Sequence, residues 1–222
     1  MLILGIDTCG TTAACALCSE TEVISECSFL TEHTHSQVIL PLAQKVLSDA
    51  EKTLKDVDIF AAVSGPGSYT GLRIGISAVQ GMCYALDRKC VGVSALEALA
   101  YNAVCADSVI CAVMHARQRL MYAAFFRADG MTVKRLTPDE IADADELAAR
   151  IAACGEKVIC VGDHAMLALP DNAMPAPASQ NGRSAVSLCF AGLAHEPCSP
   201  ELLLPDYLQV TKAEKDLDSA KT

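Results

Sequence analysis

Two lobes of one topology, each running β-β-β-α-β-α in an α/β fold, are what the sequence predicts. Three observations carry the prediction. The chain has 222 residues and 52% hydrophobic content, enough to bury a core as one domain or two small lobes. Its first half sets three apolar, β-rich runs before a helix, a short buried strand and a second helix. Its second half repeats that order more faintly.

In the first half, runs at about 2–7, 13–18 and 22–30 read as consecutive strands turned at Gly10 and at Thr21-Glu22. SQVILPLAQKVLSDA, 36–50, places Val38, Ile39, Leu42, Val46 and Leu47 near helical spacing, with Ser36 as N-cap. Pro41 is tolerated if the helix starts at or just before Leu40 and kinks it if the start is Ser36. DIFAAVS, 58–64, is a short buried strand, and 70–86 a second helix. In the second half, strands are predicted near 108–114, 120–127 and 130–136, then a helix over 138–153, a strand at 157–162 and a helix near 184–195. A loop rich in Pro, Asn and Ser separates the last two. A helix at 94–104 joins the halves, placing the lobes at 1–106 and 107–222, the second smaller and more degenerate. Such a duplicated unit is the signature of the actin-like, ribonuclease H-like superfamily of sugar kinases and Hsp70, an analogy of fold that carries no activity.

The formal net charge is −10 and the pI about 4.9. So acidic a surface repels phosphate backbones, and any RNA contact is expected to be local or borrowed from a partner. MLILGIDTCG has no basic n-region and meets Asp7 after six residues, so it reads as a first strand, not a signal peptide, and no 18 apolar residues run together. A cytoplasmic chain without membrane contact is the expectation. The twelve cysteines sit inside apolar runs such as AACALC and VICAV, as small hydrophobes in a reducing compartment do. Cys15 and Cys18 form a CxxC, but no second pair follows at zinc spacing, and residues three apart on a strand point to opposite faces. No metal site is expected.

GIDTCGTTAACAL, 5–17, puts an acid at the end of a buried strand, ahead of hydroxyl residues. Two readings stay open: Asp7 orders a hydrated cation while Thr8, Thr11 and Thr12 face phosphate, or Asp7 caps an ordinary hairpin turn. In EHTHSQ the histidines 33 and 35 are two apart, whereas a helical metal pair needs four, so a polar loop is favoured. Histidines 115, 164 and 195 are isolated. There is no GxSxG, no HExxH and no Cys-Gly-Ser-Cys, so no catalytic residue is assigned.

SGPGSYTGLRIG, 64–75, looks like a phosphate loop but fits neither pattern. GxxxxGK[ST] lacks its lysine, and Gly71 comes one position late for GxGxxG. Pro66 between glycines makes a turn, Ser68 or Thr70 caps, and Leu72, Ile76, Val79, Met82, Cys83 and Leu86 run on helically. Glycines 71, 75 and 81 punctuate that helix. Each costs about 1 kcal/mol against alanine, so they mark a place where another backbone comes close, and the face reads as a docking surface.

SGPGSYTGLRIGISAVQGMCYAL, taken with LGIDT, HSQVILPLAQKVL and VGVSALEALA, closely resembles the TsaB (YeaZ) family of bacterial tRNA threonylcarbamoyladenosine biosynthesis proteins. The resemblance covers essentially the whole chain and extends to MHARQRLMYAAFF at 114–126 and PDYLQV at 205–210. It implies a non-catalytic paralogue of the metal-dependent transferase TsaD. The two pair through helices like 36–50 and 70–86. The partner, with a TsaE-like ATPase, moves a threonylcarbamoyl group from an adenylate donor to adenosine 37 of ANN-reading tRNAs. tRNA then meets this chain only through the complex, no cofactor is bound by the chain alone, and ATP with Mg is left to the assembly.

On that resemblance Val38, Leu42, Tyr69, Leu72, Arg73, Ile76 and Val79 form the seam with the partner, as a four-helix bundle. The same surface makes a homodimer when the partner is absent, and a glutamate at Ile76 is expected to break the seam yet leave the chain folded. One departure stands out: the family has Asp-Ala-Arg where this chain reads His115-Ala116-Arg117. Two rival readings remain. An autonomous small-molecule kinase would use Asp7 and Thr11 around Mg-ATP and needs a second acid across the cleft, where His115 stands; a glycoprotease-like peptidase lacks nucleophile and metal ligands.

Overall fold

The computed structural model describes residues 1–30, 34–104 and 108–208. The first half forms β1 (Leu2–Asp7), β2 (Thr12–Ser19), β3 (Val23–Leu30), α1 (His35–Asp49), β4 (Ile59–Gly65), α2 (Tyr69–Leu86), β5 (Lys89–Ser94) and α3 (Ala95–Tyr101). The second forms β6 (Val109–Arg117), β7 (Leu120–Asp129), β8 (Thr132–Arg135), β9 (Glu140–Asp143), α4 (Ala144–Ala153), β10 (Val158–Gly162), β11 (Ala173–Pro175) and α5 (Ala185–Leu193). Sheet order is β3-β2-β1-β4-β5 in one and β11-β10-β6-β7-β8 in the other, with β9 also on β7. In both, three antiparallel strands continue into two parallel ones, so the second sheet repeats the first in order and direction.

The layers alternate. α1 and α2 cover one face of the first sheet, α3 and α5 fill the space between the sheets, and α4 covers the far face of the second. Strand alternation decides which residue goes where: Leu4 and Ile6 face α1 and α2, while Ile3 faces α5. By the same rule Cys15 and Cys18 enter different cores, as their spacing requires. α5 belongs in sequence to the second half yet packs on β1 and β2. Gly5 permits this, because a Cβ there would stand 2.7 Å from Cys189 Sγ and 2.9 Å from the Ala185 carbonyl. The chain then returns further, with Cys198 pairing to Cys90 of β5 and Gln80 Nε2 donating to the carbonyls of Pro200 and Leu203 at 2.9 and 3.0 Å. The division expected at 106 falls among residues 105–107, outside those described; it separates the two sheets, while α5 and 198–208 rejoin the first.

Some elements differ from expectation. β5, β9 and β11 were not anticipated, and α4 starts at Ala144 rather than 138, because 140–143 pair with β7 and Asp143 caps the helix through Asp145 N–H. α1 begins at His35, so Pro41 lies in its second turn and deletes one rung of its ladder. Ser68 caps α2, its Oγ 3.3 Å from Gly71 N.

The expected seam needs the largest correction. Leu42, Leu72, Ile76 and Val79 are 4%, 1%, 4% and 0% exposed, inside the chain's own core, and Val38 is half-buried against it. The reason is physical: the strongest apolar stripe of α2 is the one its own sheet requires. Only Tyr69 and Arg73 of the seven stand outside. A glutamate at Ile76 therefore places a carboxylate in the core and is expected to unfold the chain. Gly71 and Gly75 likewise make room for Thr8 of this chain, not for a partner.

A polar cluster binds α3 to the end of α5 and to β8: Glu97 lies 2.8 Å from His195 Nε2 and 3.1 Å from Arg135 Nη2. Burial works to raise the Glu97 carboxyl, but bonds and charge from His195 and Arg135 outweigh it and hold it below its ordinary value. The Glu97 hydrogen bond raises the His195 imidazole, against burial.

Two outcomes are expected. Gly71→Ala, which would gain about 1 kcal/mol on an open helix, should instead lose about 1–3 kcal/mol in urea unfolding, because its Cβ drives into the Thr8 carbonyl. A raised histidine stabilises fully below its unfolded pKa near 6.5 and loses this as pH climbs through the folded value; a lowered glutamate stabilises above about 4.3 and loses this as pH falls. Urea midpoints should decline as pH rises above about 6.5, and His195→Gln should flatten that decline.

Candidate functional site

The ends of β1, β6 and β10 converge with the starts of α2 and α5 around a cleft of about 580 Å³, as the duplicated topology dictates. Thr11 and Thr12 stand on its wall; Asp7 and Thr8 do not. Asp7 is 3% exposed, and its Oδ1 accepts from Cys9 N–H at 2.8 Å. Thr8 Oγ1 donates to the Gly71 carbonyl at 2.7 Å, and Ser68 N–H donates to the Cys9 carbonyl at 2.8 Å. These bonds turn Asp7 and Thr8 into a joint between β1 and α2. Of the two readings left open for Asp7, the turn-capping one is what its geometry supports.

His35 Nε2 lies 2.6 Å from the Gly10 carbonyl, so that histidine braces the β1–β2 turn. Glu32 and His33 lie outside the described residues. His115 does reach the cleft; its N–H donates to Asp163 Oδ2 at 3.0 Å. Asp163, immediately after β10, is an acid across the cleft, supplied from β10 rather than from β6, where His115 stands.

Arg183 was also missed. The loop before α5 carries it, held by Asn102 Nδ2 donating to the carbonyls of Gln180 and Gly182 at 2.7 and 2.8 Å and by Asn181 Oδ1 accepting from Gly162 N–H at 3.2 Å. Its Nη1 is 3.1 Å from Cys9 Sγ, and a Cβ on Gly10 would collide with its guanidinium. Burial acts to lower Arg183, but Cys9, Asp7 and Asp163 raise it above its ordinary value. Burial, then the Asp7 charge, pushes the Cys9 thiol well up, with Arg183 partly offsetting. The only advance signals were strand-ending GD in VICVGDH and the lone basic residue in QNGRS.

An actin-like fold implies Mg-nucleotide, and the residues at Asp7 do not fit it. The carboxylate is enclosed, one oxygen is taken by Cys9, and Arg183 supplies the local positive charge that a cation would bring. Among the described residues no group of His, Cys, Asp or Glu is arranged to hold a metal ion.

A second concavity lies on the outside. α1 and α2 leave a groove of about 540 Å³ between them, lined by Leu40, Tyr69, Ile74, Ser77 and Ala78, with Arg73 on its rim. Leu40 is 54% exposed and Tyr69 44%.

The profile of TsaD, tRNA N6-adenosine threonylcarbamoyltransferase, matches residues 29–197. The chain belongs to that family. Within it the chain is TsaB/YeaZ-like. The protein named tRNA threonylcarbamoyladenosine biosynthesis protein TsaB from Bacillus subtilis (strain 168) is 28% identical over 229 residues, covering 100% of both chains. YeaZ from Pseudomonas aeruginosa superposes with a TM-score of 0.79 at 26% identity, over 93% of this chain and 99% of that one. Component A of (R)-2-hydroxyglutaryl-CoA dehydratase from Acidaminococcus fermentans, at 12% identity and a TM-score of 0.50 over 87% and 98%, shares the fold alone. The TsaB/YeaZ-like chain thus has an actin-like fold in which Arg183 lines the cleft. Among its described residues no helix is long and apolar enough to cross a membrane.

Titration calorimetry of the isolated chain with Mg-ATP is expected to show no micromolar, magnesium-dependent binding. Saturable binding with hydrolysis would restore the kinase reading.

Proposed function

We propose that this chain is a non-catalytic subunit of the machinery that forms N6-threonylcarbamoyladenosine at position 37 of ANN-reading tRNAs. It docks on the catalytic TsaD-family transferase through the outward groove of α1 and α2. The observation that carries this reading is an open apolar groove on a chain related along its whole length to TsaB. A concave, mainly apolar groove between two helices suits the docking of another helix. The outer residues of α2 are small where a helix would approach: Ser77 and Ala78 line the groove, and a Cβ on Gly81 would meet nothing within 4 Å.

The docking face differs from the one expected from sequence. Tyr69 and Arg73 are kept, Leu40, Ile74, Ser77 and Ala78 replace the buried residues, and the bundle is formed by the backs of the helices rather than by their strongest stripe. Without a partner, two copies would meet on this same groove. A formal charge of −10 supports leaving the tRNA grip to the transferase, and the enclosed Asp7 supports leaving ATP and Mg to the other members, including a TsaE-like ATPase. The chain's part is to hold the transferase in a working form, in the cytoplasm.

Leu40→Asp and Ser77→Arg are expected to abolish co-elution with the cognate transferase while thermal unfolding of the chain stays within about 2 °C, since both sites are exposed. Retained co-elution would overturn the docking reading. Formation of the modified nucleoside by the chain alone would overturn the non-catalytic one.

A further inference from the structure

We infer that Arg73 selects the groove's partner by requiring a carboxylate opposite it, so that the groove prefers a different protein over a second copy of this chain. The inference rests on the docking reading above and adds the chemistry of the contact.

Arg73 is exposed on the outer face of α2 but is not left loose. Its guanidinium carbon stands 4.1 Å from the Tyr69 ring centroid and 5.8 Å from that of Tyr207. The two rings stack with centroids 4.7 Å apart and planes at 25°. Arg73 Nε donates to Tyr207 Oη at 2.8 Å. Tyr207 is delivered by the returning segment, which is fastened where Asp206 N–H donates to the Ser64 carbonyl at 2.7 Å and where Leu203 is buried. A free arginine would lose rotamer entropy on binding; here two rings and a phenol have already ordered it. Such a planar, oriented fork suits recognition of a carboxylate.

Among the described residues its charge meets no carboxylate, and Arg73 forms no ion pair. Among the described residues lining the groove it is also the one charged side chain, on a protein whose net charge is −10. Lys45 on α1 is already paired with Asp49 at 2.7 Å. A second copy would bring another Arg73 and, among the described residues lining its groove, no carboxylate. Covering an unanswered guanidinium costs binding energy, so the device penalises the homodimer as it favours an acidic partner. Tyr207 is a positioning residue: it holds the fork but does not supply the charge.

The test measures affinity of the full-length chain for its cognate transferase by calorimetry, at low and high salt. Arg73→Glu is expected to weaken binding by about tenfold or more and Arg73→Gln by less, with both variants reducing the salt dependence seen in the wild type. Changing each Asp or Glu on the transferase's docking helices to Arg, one at a time, should yield one variant that rebinds Arg73→Glu while losing the wild-type chain. Tyr207→Phe should weaken binding by only about two- to fivefold and keep the salt dependence. Unchanged affinity in Arg73→Glu, alongside loss of binding in Leu40→Asp, overturns the inference and leaves the docking reading standing. Unchanged affinity in both overturns the two together. A wild-type homodimer tighter than the complex with the transferase also overturns the preference.

Discussion

Everything in the first lobe depends on one close approach, that of the chain leaving β1 to the start of α2. Thr8 and Cys9 are bonded to Gly71 and Ser68, and glycine at 71 is required because a Cβ would run into the Thr8 carbonyl. The approach has two consequences. It sets α2 at a fixed depth on the sheet, which decides which of its faces is buried and which is presented. It also turns Asp7 and Thr8 away from the cleft, so residues that serve phosphate chemistry elsewhere in such folds are here part of a joint.

How much of this was legible in the sequence follows from which forces are local. The duplicated order could be read because strand alternation and helix periodicity are written in neighbouring residues, and the sheet orders agree with it. β5 went unrecognised because KCVGVS runs straight into a helix with no turn residue to announce the change, and β9 because EIAD looks helical until β7 lies beside it. The role of the glycines was partly legible: at Gly71 the helix cost marked a close backbone, though one of this chain, whereas Gly75 meets the Thr8 side chain and Gly81 meets nothing within 4 Å.

The docking face shows a more general difficulty. In α2 the stripe through Leu72, Ile76 and Val79 is the more apolar and drew the assignment, yet a helix lying on a sheet must spend that stripe on its own core. What remains for a partner is weaker in hydrophobicity and is visible only once the sheet is in place: Leu40, Tyr69, Ile74 and small residues between them. Arg183 and Asp163 were illegible for another reason. Both meet the cleft through contacts far apart in sequence, and their local signals, a strand-ending GD and a lone basic residue in a loop, are ones that a solvated surface charge also carries. The proposed role fits this division, with a cleft lined by the chain's own arginine and a function carried by the outer helices.

Hydrogen–deuterium exchange of the chain, with and without its cognate transferase, addresses that division most directly. New protection confined to α1, the first turns of α2 and residues 204–208, with the 9–12 and 162–164 loops unchanged, is the expected result. Protection appearing at the cleft loops while α1 and α2 exchange as before would contradict it.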